Sequence, residues 1–165
     1  MKGIMFNTKY GLEQAVLNGT KTRTWRADKK PRYEVGEIVA IKQCYKDVCY
    51  YFCEQDNCKY IDYIALYSRQ AGWRNKMFTR NEKMPHKIKI TGIKQCRLQD
   101  LTNDDCLKEG VRKGKVYGFF FGVGKTQKKC ISAIDAFAGL INKLNGKDYW
   151  ESNPLGYAYE FELIK

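Results

Sequence analysis

Apolar residues at Leu12, Ala15 and Val16 recur at the spacing of one helix face, and Asn18-Gly19 supplies a stop, so a helix is expected over 10–18. Before it, Gly3 to Phe6 reads as a strand. After it the pattern changes to an alternation rich in Thr and Trp, which predicts a strand over 22–26. Further strands are expected at 38–43, 86–95 and 157–164, where isoleucines, valines or aromatics alternate with polar residues. Aromatic and polar residues also alternate between 45 and 66, which predicts two strands, Val48 to Phe52 and Lys59 to Leu66, around a turn at Glu54-Gln55-Asp56-Asn57. Thr102 precedes Asp105 at the capping-box spacing and opens a helix that stops at Gly110. A second amphipathic helix is expected over 132–144, with Ile134, Phe137, Ala138, Ile141 and Leu144 on one face. Residues 68–85 read as irregular, and 112–129 as a basic, Gly-rich loop long enough to be functional. Many strands with few helices give an α+β fold built around a small barrel, and one domain over residues 1–165 with a cysteine-bearing β insert at about 45–66.

Charge alters this picture. Thirty Lys and Arg stand against 18 Asp and Glu, a net charge of +12, which attracts polyanions and speeds their encounter. Aromatic residues lie among the cations, so stacking surfaces for bases accompany the charge. Arg23, Trp25, Arg26, Trp73, Arg74 and Lys125 are the candidate RNA- or substrate-binding residues on these grounds. No apolar run of about 18 residues exists, so no membrane partner is expected. The first seven residues turn polar too early for a signal-peptide core, and seven cysteines are an odd number. Both observations favour a cytoplasmic, reducing location.

Several chemistries are excluded. His86 is the single histidine, which removes Ser-His-Asp and Cys-His catalysis. Cys44, Cys49, Cys53 and Cys58 lack the Cys-x-x-Cys form, so reduced structural thiols are expected and no metal or other cofactor. Gly122-Val123-Gly124-Lys125-Thr126 ends like a phosphate loop, but Phe119 occupies the position that requires glycine. What remains is the stretch Gly19 to Arg26. The extended segment there sets Lys21 and Thr24 on opposite faces, in reach of one ligand. A lysine near other cations loses proton affinity and can act as a base, and a threonine hydroxyl is the nucleophile it would activate. Glu109, in the last turn of the helix after Thr102, is the candidate partner, because a helix C-terminus disfavours a carboxylate that has no other task.

The run Gly19-Thr20-Lys21-Thr22-Arg23-Thr24-Trp25-Arg26 resembles the Gly-x-Lys-Thr-x-Thr-x-Arg motif of ASCH-domain proteins, a branch of the PUA-like superfamily. Tyr33-Glu34-Val35-Gly36-Glu37 is similar to a turn of that family, and Leu98 to Val111 to its strand–helix element ending in Glu-Gly. Ala136-Phe137 to Asn145-Gly146, Trp150 to Pro154 and Tyr159-Glu160-Phe161 resemble its C-terminal helix and strand. The resemblance implies a PUA-like small β-barrel with flanking helices that binds RNA or a modified pyrimidine nucleoside. One branch of small bacterial members removes the acetyl group of N4-acetylcytidine through a Lys, Thr and Glu triad, which by motif falls on Lys21, Thr24 and Glu109. In that expectation Lys21 is the base, Thr24 the nucleophile or the group orienting water, and Glu109 the proton shuttle. Arg26 supplies charge to the oxyanion. A non-catalytic RNA-binding module and a metal-independent ribonuclease are the alternatives.

Overall fold

A computed structural model of the chain describes residues 1–55 and 60–164. It is a mixed α+β structure in two compact units. The first comprises Met1–Phe6, Ile38–Ile88 and the C-terminal end from Ile164; the second comprises Asn7–Glu37 and Lys89–Leu163.

In the first unit, strand β1 (Gly3–Ile4) runs parallel to strand β3 (Ile38–Ile41), with Gly3 opposite Ala40 and Ile4 opposite Ile41. Two helices follow, α2 (Tyr45–Gln55) and α3 (Tyr60–Tyr67), and three short 3-10 turns lie at Ala71–Trp73, Lys76–Phe78 and Asn81–Lys83. The helices stand where the sequence alternation predicts a β insert, and the reason is visible in the residues. Tyr45, Val48, Cys49 and Phe52 fall at i, i+3, i+4 and i+7, the period of a helix face. Tyr63 and Tyr67 repeat the spacing in α3. Tyr45, Val48 and Tyr67 bury against Ala40 and Met84, with Phe52, Tyr63 and Trp73 packed around them. The tyrosine rings at 63 and 67 stack with centroids 4.2 Å apart. Burial of one aromatic stripe outweighs the β preference of its members. Asp56, Asn57 and Cys58 of the expected turn and cysteine set lie outside the described residues.

In the second unit, helix α1 (Leu12–Leu17) buries Leu12 and Val16, and strand β2 (Arg23–Arg26) pairs antiparallel with strand β8 (Leu155–Ile164). Strand β8 also lies beside strand β4 (Lys87–Arg97), which belongs to this unit from Lys89 onward. Helix α4 (Asn103–Lys108) opens with the capping box read from the sequence: the Asp105 amide donates to the Thr102 hydroxyl and the Thr102 amide to the Asp105 carboxylate. Helix α5 (Ala133–Asn145) buries Ala133, Ala136, Phe137, Leu140 and Ile141, a stripe of helical period. Residues expected as a loop instead form a three-stranded antiparallel sheet of β5 (Arg112–Lys113), β6 (Phe119–Phe121) and β7 (Lys128–Cys130). Phe121 anchors that sheet on α5, where a Cβ at Gly139 would stand 2.8 Å from its ring. No closed barrel is found among the described residues.

Candidate functional site

Three elements of the second unit clamp the segment that carries Lys21. The Lys21 amide donates to the Ala15 carbonyl at the end of α1 (2.8 Å), the Thr22 amide to Lys108 at the end of α4 (3.0 Å), and the Phe161 amide of β8 to Thr22 (2.9 Å). Gly19, with φ of 76°, lets the chain leave α1 in the direction this requires.

The Lys21 ammonium donates three hydrogen bonds, to the Glu109 carboxylate Oε2 (2.7 Å), the Glu109 carbonyl (2.7 Å) and the Arg23 carbonyl (2.6 Å). Both side chains are sealed, Lys21 at 2% and Glu109 at 3% exposure. Burial pushes the Lys21 amine below its ordinary range; the Glu109 charge and hydrogen bond oppose that, and the Arg26 charge adds to it. Glu109 is the C-terminal cap of α4, so the cation meets the helix's exposed carbonyl end as well as the carboxylate. This removes the cost a lone carboxylate would incur there. Gly110 makes the approach feasible: its φ is +101°, and a Cβ would lie 3.1 Å from Leu12 Cδ2 and 3.5 Å from Lys21 Cδ. The second carboxylate oxygen, Glu109 Oε1, is buried and has no hydrogen-bond partner among the described residues. Such an oxygen costs stability unless something accepts or supplies a proton there.

Thr24 is 6% exposed, and among the described residues its hydroxyl has no hydrogen-bond partner. The β2–β8 register sets Thr24 opposite Tyr159 and Arg26 opposite Tyr157, so these four share one face. Tyr33 meets Tyr159 edge-on at 5.2 Å. The Tyr159 hydroxyl donates to Asp28 (3.0 Å) and accepts from the Arg32 amide (3.0 Å). Burial, opposed by the Arg32 amide and reinforced by Asp28, pushes that phenol up to about 12. An open surface depression of about 230 Å3 is lined by Asp28, Lys29, Lys30, Pro31 and Arg32, and neither Lys21, Thr24, Arg26 nor Glu109 is part of that lining.

On the opposite face, Arg23 pairs with Asp105 and lies 3.7 Å from Glu160. Arg23 is therefore held by the start of α4 and is 5% exposed, not available to RNA in this arrangement. Trp25 is likewise core rather than a stacking surface: it is 7% exposed, its indole donates to the Cys96 carbonyl at 3.3 Å, and its ring covers Gly156. Trp73 and Arg74 belong to the first unit, where Trp73 packs on the aromatic cluster and Arg74 is exposed. Lys125 is exposed in the turn between β6 and β7. The structure thus joins Lys21 to Glu109 directly and sets Thr24 and Arg26 further along the same segment, on β2. Sequence reasoning missed Tyr33, Asp105 and Tyr159. Only Asp105 carried a signal, through its capping spacing; the other two depend on strand register.

Among the described residues no group of His, Cys, Asp and Glu is arranged to hold a metal ion. Burial raises the thiols of Cys44, Cys96, Cys106 and Cys130, which disfavours their thiolate forms. No described helix is long and apolar enough to cross a membrane. No family model matches this chain, and neither a curated protein nor a solved structure matches it.

Proposed function

We propose that the second unit carries an ASCH-type site, on a PUA-like strand framework, that deacylates an N4-acylated cytidine, free or within RNA. The observation that carries this reading is the buried Lys21–Glu109 pair with its unpartnered Oε1, which fits the Lys, Thr and Glu motif of the sequence. Lys29 and Lys30, in the open depression beside the Asp28 and Arg32 groups that bond Tyr159, would meet the phosphates of an RNA that carries the nucleoside.

The step requires the proton of the pair to pass from Lys21 to Glu109, leaving a neutral amine and a carboxylic acid. Lys21 then takes the Thr24 hydroxyl proton as Thr24 Oγ1 bonds to the acyl carbon. Arg26 lends positive charge to the oxyanion. As the C–N bond breaks, Glu109 gives its proton to the exocyclic nitrogen, and cytidine leaves. Water then repeats the sequence in reverse: its proton goes to Glu109, its oxygen bonds to the acyl carbon, and Lys21 returns a proton to Thr24. Acetate, as the free acid, is released and the neutral pair is restored.

Saturation of the three ammonium protons favours a second reading, in which the pair is a structural clasp between β2 and α4. The two are separated by Thr24, which the clasp does not use. Purified protein incubated with N4-acetylcytidine should release cytidine, Thr24→Val should abolish release with its melting temperature nearly unchanged, and Thr24→Ser should retain part of it. Release by Thr24→Val at the wild-type rate, or none by wild type, sinks the hydrolase and leaves the clasp.

A further inference from the structure

The sheet β5–β6–β7 is built unlike the rest of the second unit. From Val111 to Ile131 the sequence holds Arg112, Lys113, Lys115, Lys125, Lys128 and Lys129 and not one Asp or Glu. Lys21, Arg23, Arg32 and Lys108 of the same unit each have a carboxylate within 4.0 Å. Here the six cations are exposed, and the Arg112 guanidinium also donates to the Gly122 carbonyl.

Register orders these side chains. Arg112 pairs with Phe120 and Phe120 with Lys129, so the three form one row across the sheet. Phe121, the next residue on β6, is 4% exposed and faces α5, so alternation turns Phe120 to the other side. The row is therefore a half-buried phenyl ring flanked by two exposed cations. At the tip of the β5–β6 hairpin Val116 is 98% and Tyr117 63% exposed. The Lys129 ammonium lies over the Tyr117 ring at 4.7 Å, holding a second aromatic beside the first row. Gly114 keeps the surface open to Phe120, since a Cβ there would stand 2.7 Å from that ring.

From this arrangement we infer that the outer face of the β5–β6–β7 sheet docks single-stranded RNA, with bases stacked on Phe120 and Tyr117 and phosphates neutralised by Arg112, Lys129 and the lysines around them. Aromatic rings with adjacent cations on an open sheet are what an unpaired strand requires: a π-face for each base and a charge for each phosphate. A duplex hides its base faces and leaves the rings without a partner. A lipid surface would use the charge, but the tip offers only two apolar side chains to insert. None of the residues invoked here belongs to the Lys21, Thr24 and Glu109 set, and the inference holds whether or not that set hydrolyses anything.

Fluorescence anisotropy with a labelled oligouridine, titrated across salt, tests it. Replacing Arg112, Lys115, Lys125 and Lys129, the cations of the outer row and of the two turns, with Gln should flatten the slope of log affinity against log salt by about 2 to 3, since each neutralised phosphate of a single strand contributes about 0.7. A charge-matched control, Lys46, Lys83, Lys143 and Lys147 to Gln, removes four exposed lysines outside the sheet and should change it little. Tyr117→Ala, at an exposed tip, should weaken binding about tenfold without altering the slope. Equal flattening by both quadruple variants would overturn the inference in favour of diffuse charge. Retention of RNA affinity by the sheet variant, with loss of binding to phosphatidylserine vesicles, would overturn it in favour of a membrane surface.

Discussion

Lys21 and the lysines of the β5–β7 sheet belong to one unit and carry the same ammonium, yet their surroundings give them opposed tasks. Lys21 is sealed, its protons all directed at fixed acceptors, and burial weakens its hold on them. Lys113, Lys128 and Lys129 are exposed, and no carboxylate occurs within their stretch of chain. A desolvated cation gains from each aligned oxygen and is costly to leave unpaired. A solvated one gains little from any single partner and acts through the summed field. The net charge of +12 describes only the second kind. The candidate chemistry sits with the first.

Substitutions can break this contrast. Lys21→Met should be the most damaging, lowering stability by about 3–5 kcal/mol because it leaves Glu109 buried without its cation. Adding Glu109→Leu should recover much of that in urea unfolding; if the double variant is as unstable as the single, the pair is not the cause. Gly110→Ala should cost about 1–3 kcal/mol, through the left-handed φ and the approach to Leu12 and Lys21, and thermal melting would read it.

Asp105→Asn should cost about 1–2 kcal/mol at neutral pH, since Asp105 accepts from the Thr102 amide and pairs with Arg23. Burial opposes ionisation of this carboxyl, but the Thr102 hydrogen bonds and the Arg23 and Lys108 charges hold it below its ordinary 3.8. A carboxylate depressed in the folded state gives stability that is present above its unfolded pKa and lost as pH falls through the folded one. The difference between Asp105→Asn and wild type should therefore shrink below pH 3.8. A gap that stays constant with pH would assign the loss to packing. Lys128→Gln, on the exposed side of the contrast, should move the melting free energy by no more than about 0.5 kcal/mol. A larger change would show that the sheet's charge is structural.

Where a single local rule decides the outcome, the sequence was readable. The Thr102–Asp105 cap, the stop at Gly110 and the helix over 132–144 all rest on spacing within a few residues, and each stands close to its expected bounds. Residues 45–67 carried two periods at once, aromatic alternation and an i, i+3, i+4 stripe, and the buried stripe won. The β5–β7 sheet escaped notice because glycines at 114, 118, 122 and 124 read as a loop, whereas here they serve its turns and close approaches. Lys21, Thr24 and Glu109 are named from the sequence alone, and the structure bonds Lys21 to Glu109 across 88 residues. That Thr24 faces Tyr159, and that Trp25 turns inward, follows from strand register, which no local pattern encodes.

The measurement that bears most directly on the central claim is rapid quenching of the protein with N4-acetylcytidine, followed by mass analysis of the peptide containing Thr24 and of the released base. A transient gain of one acetyl group on Thr24, rising before free cytidine reaches its steady rate, is the expected result. Absence of both the adduct and free cytidine would contradict the account and leave Lys21 and Glu109 as a clasp that holds β2 to the end of α4.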